Sequence, residues 1–200
     1  DGFQPTAWGD LAAAFAQVQA GQRMLWEVGD QGGVGLALAA LTALSVVAGR
    51  LDDAEDYAEE HLALARRIGD QRSTAQVHED LAVVALSRDD HDRAAELLGA
   101  ALVMSTEVGH MELVAHVVKD LAVVAAHQEP AHAARLFGAG EALREEVGTP
   151  TWPPRRMMYA QALATVRDVL GQVEFDAAWA EGRVMTPERA ITYALQYVNE

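Results

Sequence analysis

Cysteine is absent from all 200 residues, which removes disulfides, thiolate metal sites and cysteine nucleophiles together. Lysine is nearly absent too: Lys119 is the one lysine among fifteen basic residues, set against thirty acidic ones, for a formal net charge of −15. Such a surface repels phosphate backbones, so neither direct nucleic-acid contact nor attraction to an anionic membrane is expected. Aromatics make up only 6% of the chain, and runs of alternating β-branched residues, the mark of strands, are hardly seen. No apolar run approaches the roughly 20 residues that span a bilayer, and no secretory leader is expected, so the chain reads as a cytoplasmic protein.

What is present is apolar, alanine-rich and periodic. Half of the residues are apolar, enough for a sizeable core, and alanine favours closely packed helices. One signal returns four times: Glu27-Val28-Gly29, Arg67-Ile68-Gly69, Glu107-Val108-Gly109 and Glu146-Val147-Gly148, with the glycines 40, 40 and 39 residues apart. Each glycine follows a β-branched residue at the end of an apolar periodic run, where a helix needs a left-handed residue to close. Small residues recur at fixed offsets before each one, as in Ala54, Ala58 and Ala65 or Ala94 and Ala101, on one helical face. The leucines Leu41, Leu81 and Leu121 repeat at the same period in the preceding helices, and Asp80-Leu81-Ala82-Val83-Val84-Ala85 recurs as Asp120-Leu121-Ala122-Val123-Val124-Ala125. A period near 40 predicts stacked helical hairpins.

The units read as 31–70, 71–110 and 111–149, preceded by an incomplete one whose helix spans about residues 10 to 28. That first unit begins mid-repeat, as in a piece of a larger protein or a unit completed by dimerisation through the N-terminal helix. After Gly148 the period stops at Thr149-Pro150-Thr151-Trp152-Pro153-Pro154, where helix cannot continue. Residues 149–200 are therefore expected to form a proline-rich loop, pinned by Trp152, and a helical cap over the last repeat.

Local details carry further expectations. Gly32-Gly33-Val34-Gly35 reads as a flexible connection and Asp52-Asp53-Ala54-Glu55 as a capping box, with the acidic run through Glu60 a solubilising face. His61 stands where other units have Gly21, Ala101 and Gly140, so its imidazole should widen or tilt that helix crossing. His78-Glu79 lacks the second histidine of a metalloprotease motif, since Ala82 occupies that place. No metal, cofactor or catalytic residue is assigned, and the chain is not expected to be an enzyme.

The paired helices with small crossing residues resemble tetratricopeptide-type (TPR) repeats of the longer, roughly 40-residue form. The segment Ala133-Ala134-Arg135-Leu136-Phe137-Gly138-Ala139-Gly140-Glu141-Ala142-Leu143-Arg144, with Ala177-Ala178-Trp179-Ala180-Glu181-Gly182-Arg183, resembles the C-terminal repeat region of actinobacterial signalling ATPases. These include LuxR-type and MalT-like transcriptional regulators and AfsR-like proteins. The resemblance implies an all-α, TPR-like helical-hairpin solenoid, a right-handed superhelix with a C-terminal cap. It implies a regulatory arm that senses an inducer or binds a protein partner and controls attached modules, with a direct small-molecule receptor or free-standing adaptor as the alternative. The usual groove positions of such arms fall on Leu36, Ala39 and Ala43, then on Gln76, Glu79 and Val83, then on His116, Lys119, Val123 and His127. The last two groups are the more polar and form the candidate recognition surface. An open polar groove would suit a protein partner; a closed apolar pocket with a few polar groups would suit a small molecule.

Overall fold

A computed structural model describes residues 11–151 and 153–198, without the side chains of residues 153 and 154; Trp152, expected to pin the loop, lies outside them. The described residues form ten helices and no strand: α1 (Leu11–Glu27), α2 (Gln31–Val47), α3 (Leu51–Ile68), α4 (Gln71–Ser87), α5 (His91–Glu107), α6 (Met111–Ala125), α7 (Pro130–Val147), α8 (Pro153–Leu170), α9 (Gln172–Arg183) and α10 (Pro187–Val198). From α1 to α7 each helix packs on the next, giving the stacked hairpins of a helical solenoid.

The punctuation follows from single residues. Gly29, Gly69, Gly109 and Gly148 all have positive φ, between 66° and 76°, so each repeat ends in the conformation that glycine adopts without steric cost. After the first three of these glycines the next residue, Asp30, Asp70 or His110, caps the following helix. Asp30 accepts a hydrogen bond from the Gly33 amide at 2.9 Å, and Asp70 from the Ser73 amide at 3.0 Å, satisfying donors that the first turn leaves free. The turn at Asp89, which lacks the glycine found at Gly49, still adopts the left-handed conformation, with φ 59°.

Two local expectations are corrected. Gly32-Gly33-Val34-Gly35 is no flexible connection; it forms the first turns of α2 under the Asp30 cap. Nor do Asp52 and Glu55 build a capping box, for α3 begins at Leu51 with no side-chain cap. They reach instead to the next hairpin, where Arg88 meets Asp52 at 2.7 Å and Glu55 at 2.5 Å and Arg93 meets Glu55 at 2.6 Å. The hydrogen bond from Arg88 holds the Glu55 carboxyl below its ordinary range. Part of the acidic face is thus a clasp between units.

His61 is buried and the room for it comes from the facing helix. A Cβ on Gly35 would lie 2.9 Å from His61 Nε2, and the positions one and two periods after Gly35 are Ala75 and Ala115. The large residue on α3 is offset by the missing side chain on α2. Gly35→Ala should therefore cost about 1–2 kcal/mol despite alanine's better helix propensity, by overpacking. In a His61→Ala background the same change should turn neutral or stabilising. Urea denaturation of the four chains checks this, and an equal cost in both backgrounds would show that the two positions are uncoupled.

The core is uneven. One continuous cluster runs from α4 to α10 and includes Phe137, Leu121, Leu98 and Phe175, whereas a small cluster around Leu38 joins α1 to α3 and another around Val77 joins α3 to α4 and α5. After α7 the regular order changes: α9, not α8, takes the neighbouring place on α7, and α10 reaches back to α5 and α6. That frees α8 to lie across the face formed by the first helices of the hairpins.

Candidate inner-face cavity

The loop that carries α8 is fixed at three points. Arg144 donates to the Thr149 carbonyl at 3.0 Å, the Thr149 hydroxyl donates to Glu112 at 2.6 Å, and Arg156 donates to the Thr151 carbonyl at 2.9 Å. These bonds bring the first turns of α8 over α4 and α6, and Arg155 enters the face between them.

Arg155 is the centre of a buried ionic knot. Its Nη2 lies 2.5 Å from Glu79 Oε1 and its Nη1 2.6 Å from Asp120 Oδ2, both carboxylates being fully shielded from solvent. Tyr159, one turn further along α8, donates its hydroxyl to Asp120 Oδ1 at 2.8 Å, and Gln76 donates to Glu79 at 2.8 Å and to Asp80 at 3.3 Å. Two carboxylates therefore share one guanidinium, and a third, Asp80, lies within reach of its charge. Burial pushes Glu79 well above the ordinary carboxyl range and Asp80 up to about 6, while the neighbouring Arg155 opposes both shifts. Burial, followed by the Asp120 charge, keeps the Tyr159 hydroxyl protonated as a donor.

Beside the knot lies a cavity of about 410 Å³, within the range of small-molecule sites. Its walls come mainly from four helices: Thr42, Ala43 and Val46 on α2, Asp80, Val83 and Leu86 on α4, Val123 on α6 with Ala126 at its C-cap, and Met158, Ala162 and Arg155 on α8. His91 and His127 also line it. The interior is mainly apolar, with Asp80 and Arg155 together among its polar walls.

The expected groove residues divide between knot, cavity and rim. Val83, Val123 and His127 line the cavity, as does Ala43. Gln76 and Glu79 are committed to the knot. Lys119 is buried beneath α8, its Nζ 2.8 Å from Glu141 and 4.6 Å above the Tyr159 ring; with Arg144 contributing first, this holds Glu141 down at about 2. His116 is half-buried, its Nε2 sheltered without a hydrogen-bond partner, and desolvation depresses its pKa. Leu36 stands in solvent. Sequence reading missed Arg155, Tyr159 and Met158, which come from the non-repeating segment, and also Asp80, Asp120 and His91 within the repeats.

No family model matches the chain. Over 64 residues it is 33% identical to a protein of Mycobacterium tuberculosis, and equally to one of Mycobacterium bovis, each named "Putative HTH-type transcriptional regulator". The match covers 32% of this chain and 7% of each relative, so the matched stretch is a small part of much longer proteins. The all-helical solenoid is compatible with a helical region of such a regulator. Among the described residues, no group of acidic and histidine side chains is arranged to hold a metal ion, and no helix is long and apolar enough to cross a membrane.

Proposed function

We propose that this chain is the inducer-sensing arm of a larger bacterial transcriptional regulator of the LuxR-type or AfsR-like kind. It is built from tetratricopeptide-type repeats and acts on nucleotide-binding and DNA-binding modules elsewhere in the protein. In this reading it is a cytoplasmic, non-enzymatic binding domain. The observation that carries the small-molecule form of the proposal is the placement of α8. It closes the inner face of the hairpins, consumes Glu79 in an internal ion pair and leaves a mainly apolar cavity with a few polar groups. The similarity to the mycobacterial regulators supports the regulatory context.

The test is a thermal-unfolding screen of small molecules against the chain and against Val83→Phe, which fills the cavity without changing charge. Ligands of the cavity should raise the melting temperature of the parent chain and not that of V83F. In the full-length regulator, V83F should abolish the response of DNA occupancy to the same compounds. If every stabilising compound acts equally on V83F, the cavity is not the sensing site.

A second reading, self-association or partner binding through the first hairpin, is favoured by the solvent-exposed Met24, Trp26, Val28 and Leu36 near the α1–α2 turn. Concentration-dependent sedimentation that is lost in a Trp26→Ser variant would support it.

A further inference from the structure

The ionic knot is short of positive charge. Glu79 and Asp120 take the two terminal nitrogens of Arg155, and Asp80 stands near enough to feel its charge without an ion pair of its own. Lys119 on α6 faces Glu141, and Arg156 is turned to the Thr151 carbonyl. Asp80 is left with the Gln76 amide at 3.3 Å, a long hydrogen bond, and its side chain forms part of the cavity wall beside Val83, Val123 and Met158. On the same cavity, His91 has its Nδ1 sheltered from water and without a hydrogen-bond partner.

Each ligand class meets this wall differently. An anion would approach three carboxylates and only one guanidinium, which those carboxylates already neutralise. A purely apolar molecule would strip the remaining water from Asp80 and leave a carboxylate unpaired, which is costly. A cation with N–H donors gives the carboxylate a charge-assisted partner in a place of low polarity.

Resting on the small-molecule reading above, we propose that the cavity selects an amphiphilic amine, its ammonium paired with Asp80 and its apolar body laid along Val83, Val123 and Met158. Sheltered His91 offers a second polar contact to a ligand long enough to reach it.

Calorimetric titration with three probes that share one body tests this: 4-phenylbutylamine, 4-phenylbutan-1-ol and 4-phenylbutanoate. The amine should bind at least tenfold more tightly than the alcohol, and the carboxylate most weakly. Asp80→Asn should bring the amine down to the alcohol's affinity and leave the alcohol unchanged, with helix content followed by circular dichroism. Because a chain of net charge −15 attracts amines over its whole surface, V83F serves as the second variant and should remove the binding of amine and alcohol alike. Alcohol or carboxylate binding as tight as the amine, or an amine preference that survives D80N, overturns the selection while V83F-sensitive binding upholds the receptor reading. Binding of none of the probes at millimolar concentration also overturns the amine assignment, and the wider screen then decides the receptor reading.

Discussion

Arg155→Met should lose about 3–5 kcal/mol of stability, the cost of leaving buried carboxylates without their partner. Methionine keeps much of the volume, so the loss measures charge rather than a void. Glu79 and Asp120 have no access to water, and Arg155 and Tyr159 make the polar ties of α8 to α4 and α6. Asp80 and Glu79 have folded pKa values raised above their unfolded ones. The penalty for ionising them is thus present above the folded value, about 6 for Asp80, and disappears as pH falls toward the ordinary carboxyl range. Removing Arg155 removes a group that lowers both values, so the variant should recover stability relative to the parent between pH 7.5 and pH 5. His61, His110 and His132 are held below the ordinary imidazole value by burial, and they destabilise both chains alike over that interval; His132, at about 4, does so most plainly. His116, which Arg155 also depresses, moves the difference in the same direction. Urea midpoints for parent, R155M and R155M with Glu79→Gln decide the matter. If the second substitution rescues nothing and acidification brings no relative recovery, the knot is not what holds α8.

How much of this was legible in the sequence depended on whether the information repeats. The 40-residue period, the glycine at each helix end and the small residues at the crossings recur in several copies, so the hairpins could be read without knowing what they pack against. The placement of α8 depends on one unrepeated loop, and with it went Arg155 and Tyr159. Glu79 and Lys119 sit where a solenoid of this kind exposes its groove, yet a helix from outside the repeat covers both. A clue to that covering was present. Asp80 and Asp120 lie one period apart in the same otherwise apolar Leu-Ala-Val-Val-Ala run, where the preceding unit has Ala40. A carboxylate in such a run calls for a cation, and Arg155 and Arg156 are the arginines that follow the proline-rich break. His61 shows the other limit. Its misfit was visible along one helix, while its remedy, Gly35, lay in a segment read as a flexible connection because glycine permits both disorder and close approach.

Gly182→Ala should be as damaging as the loss of Arg155, for a steric reason. A Cβ at that position would lie 2.0 Å from the Arg135 carbonyl oxygen, and one on Gly138 would lie 2.3 Å from the Trp179 carbonyl oxygen. Both obstacles are backbone, which cannot rotate aside as a side chain can, so α7 and α9 would have to separate. Overpacking of this kind costs about 1–3 kcal/mol and more when backbone must move; we expect at least about 3 kcal/mol here, because α9 closes the C-terminal end of the main core through Phe175 and Ala178. Gly21→Ala is the matched control. Gly21 lies inside α1 with nothing within 4 Å of its would-be Cβ, so alanine should raise helix stability there by up to about 1 kcal/mol. The same chemical change then has opposite signs at two helical glycines, and denaturant unfolding read by circular dichroism measures both. If G182A were as harmless as G21A, α7 and α9 would not be in backbone contact. The two stretches that carry the family resemblance, around Gly138 and Gly182, are the two that this contact joins. Their joint presence then follows from packing: each glycine is needed only because the other helix comes so close, and α9 in this place leaves α8 to cross the inner face.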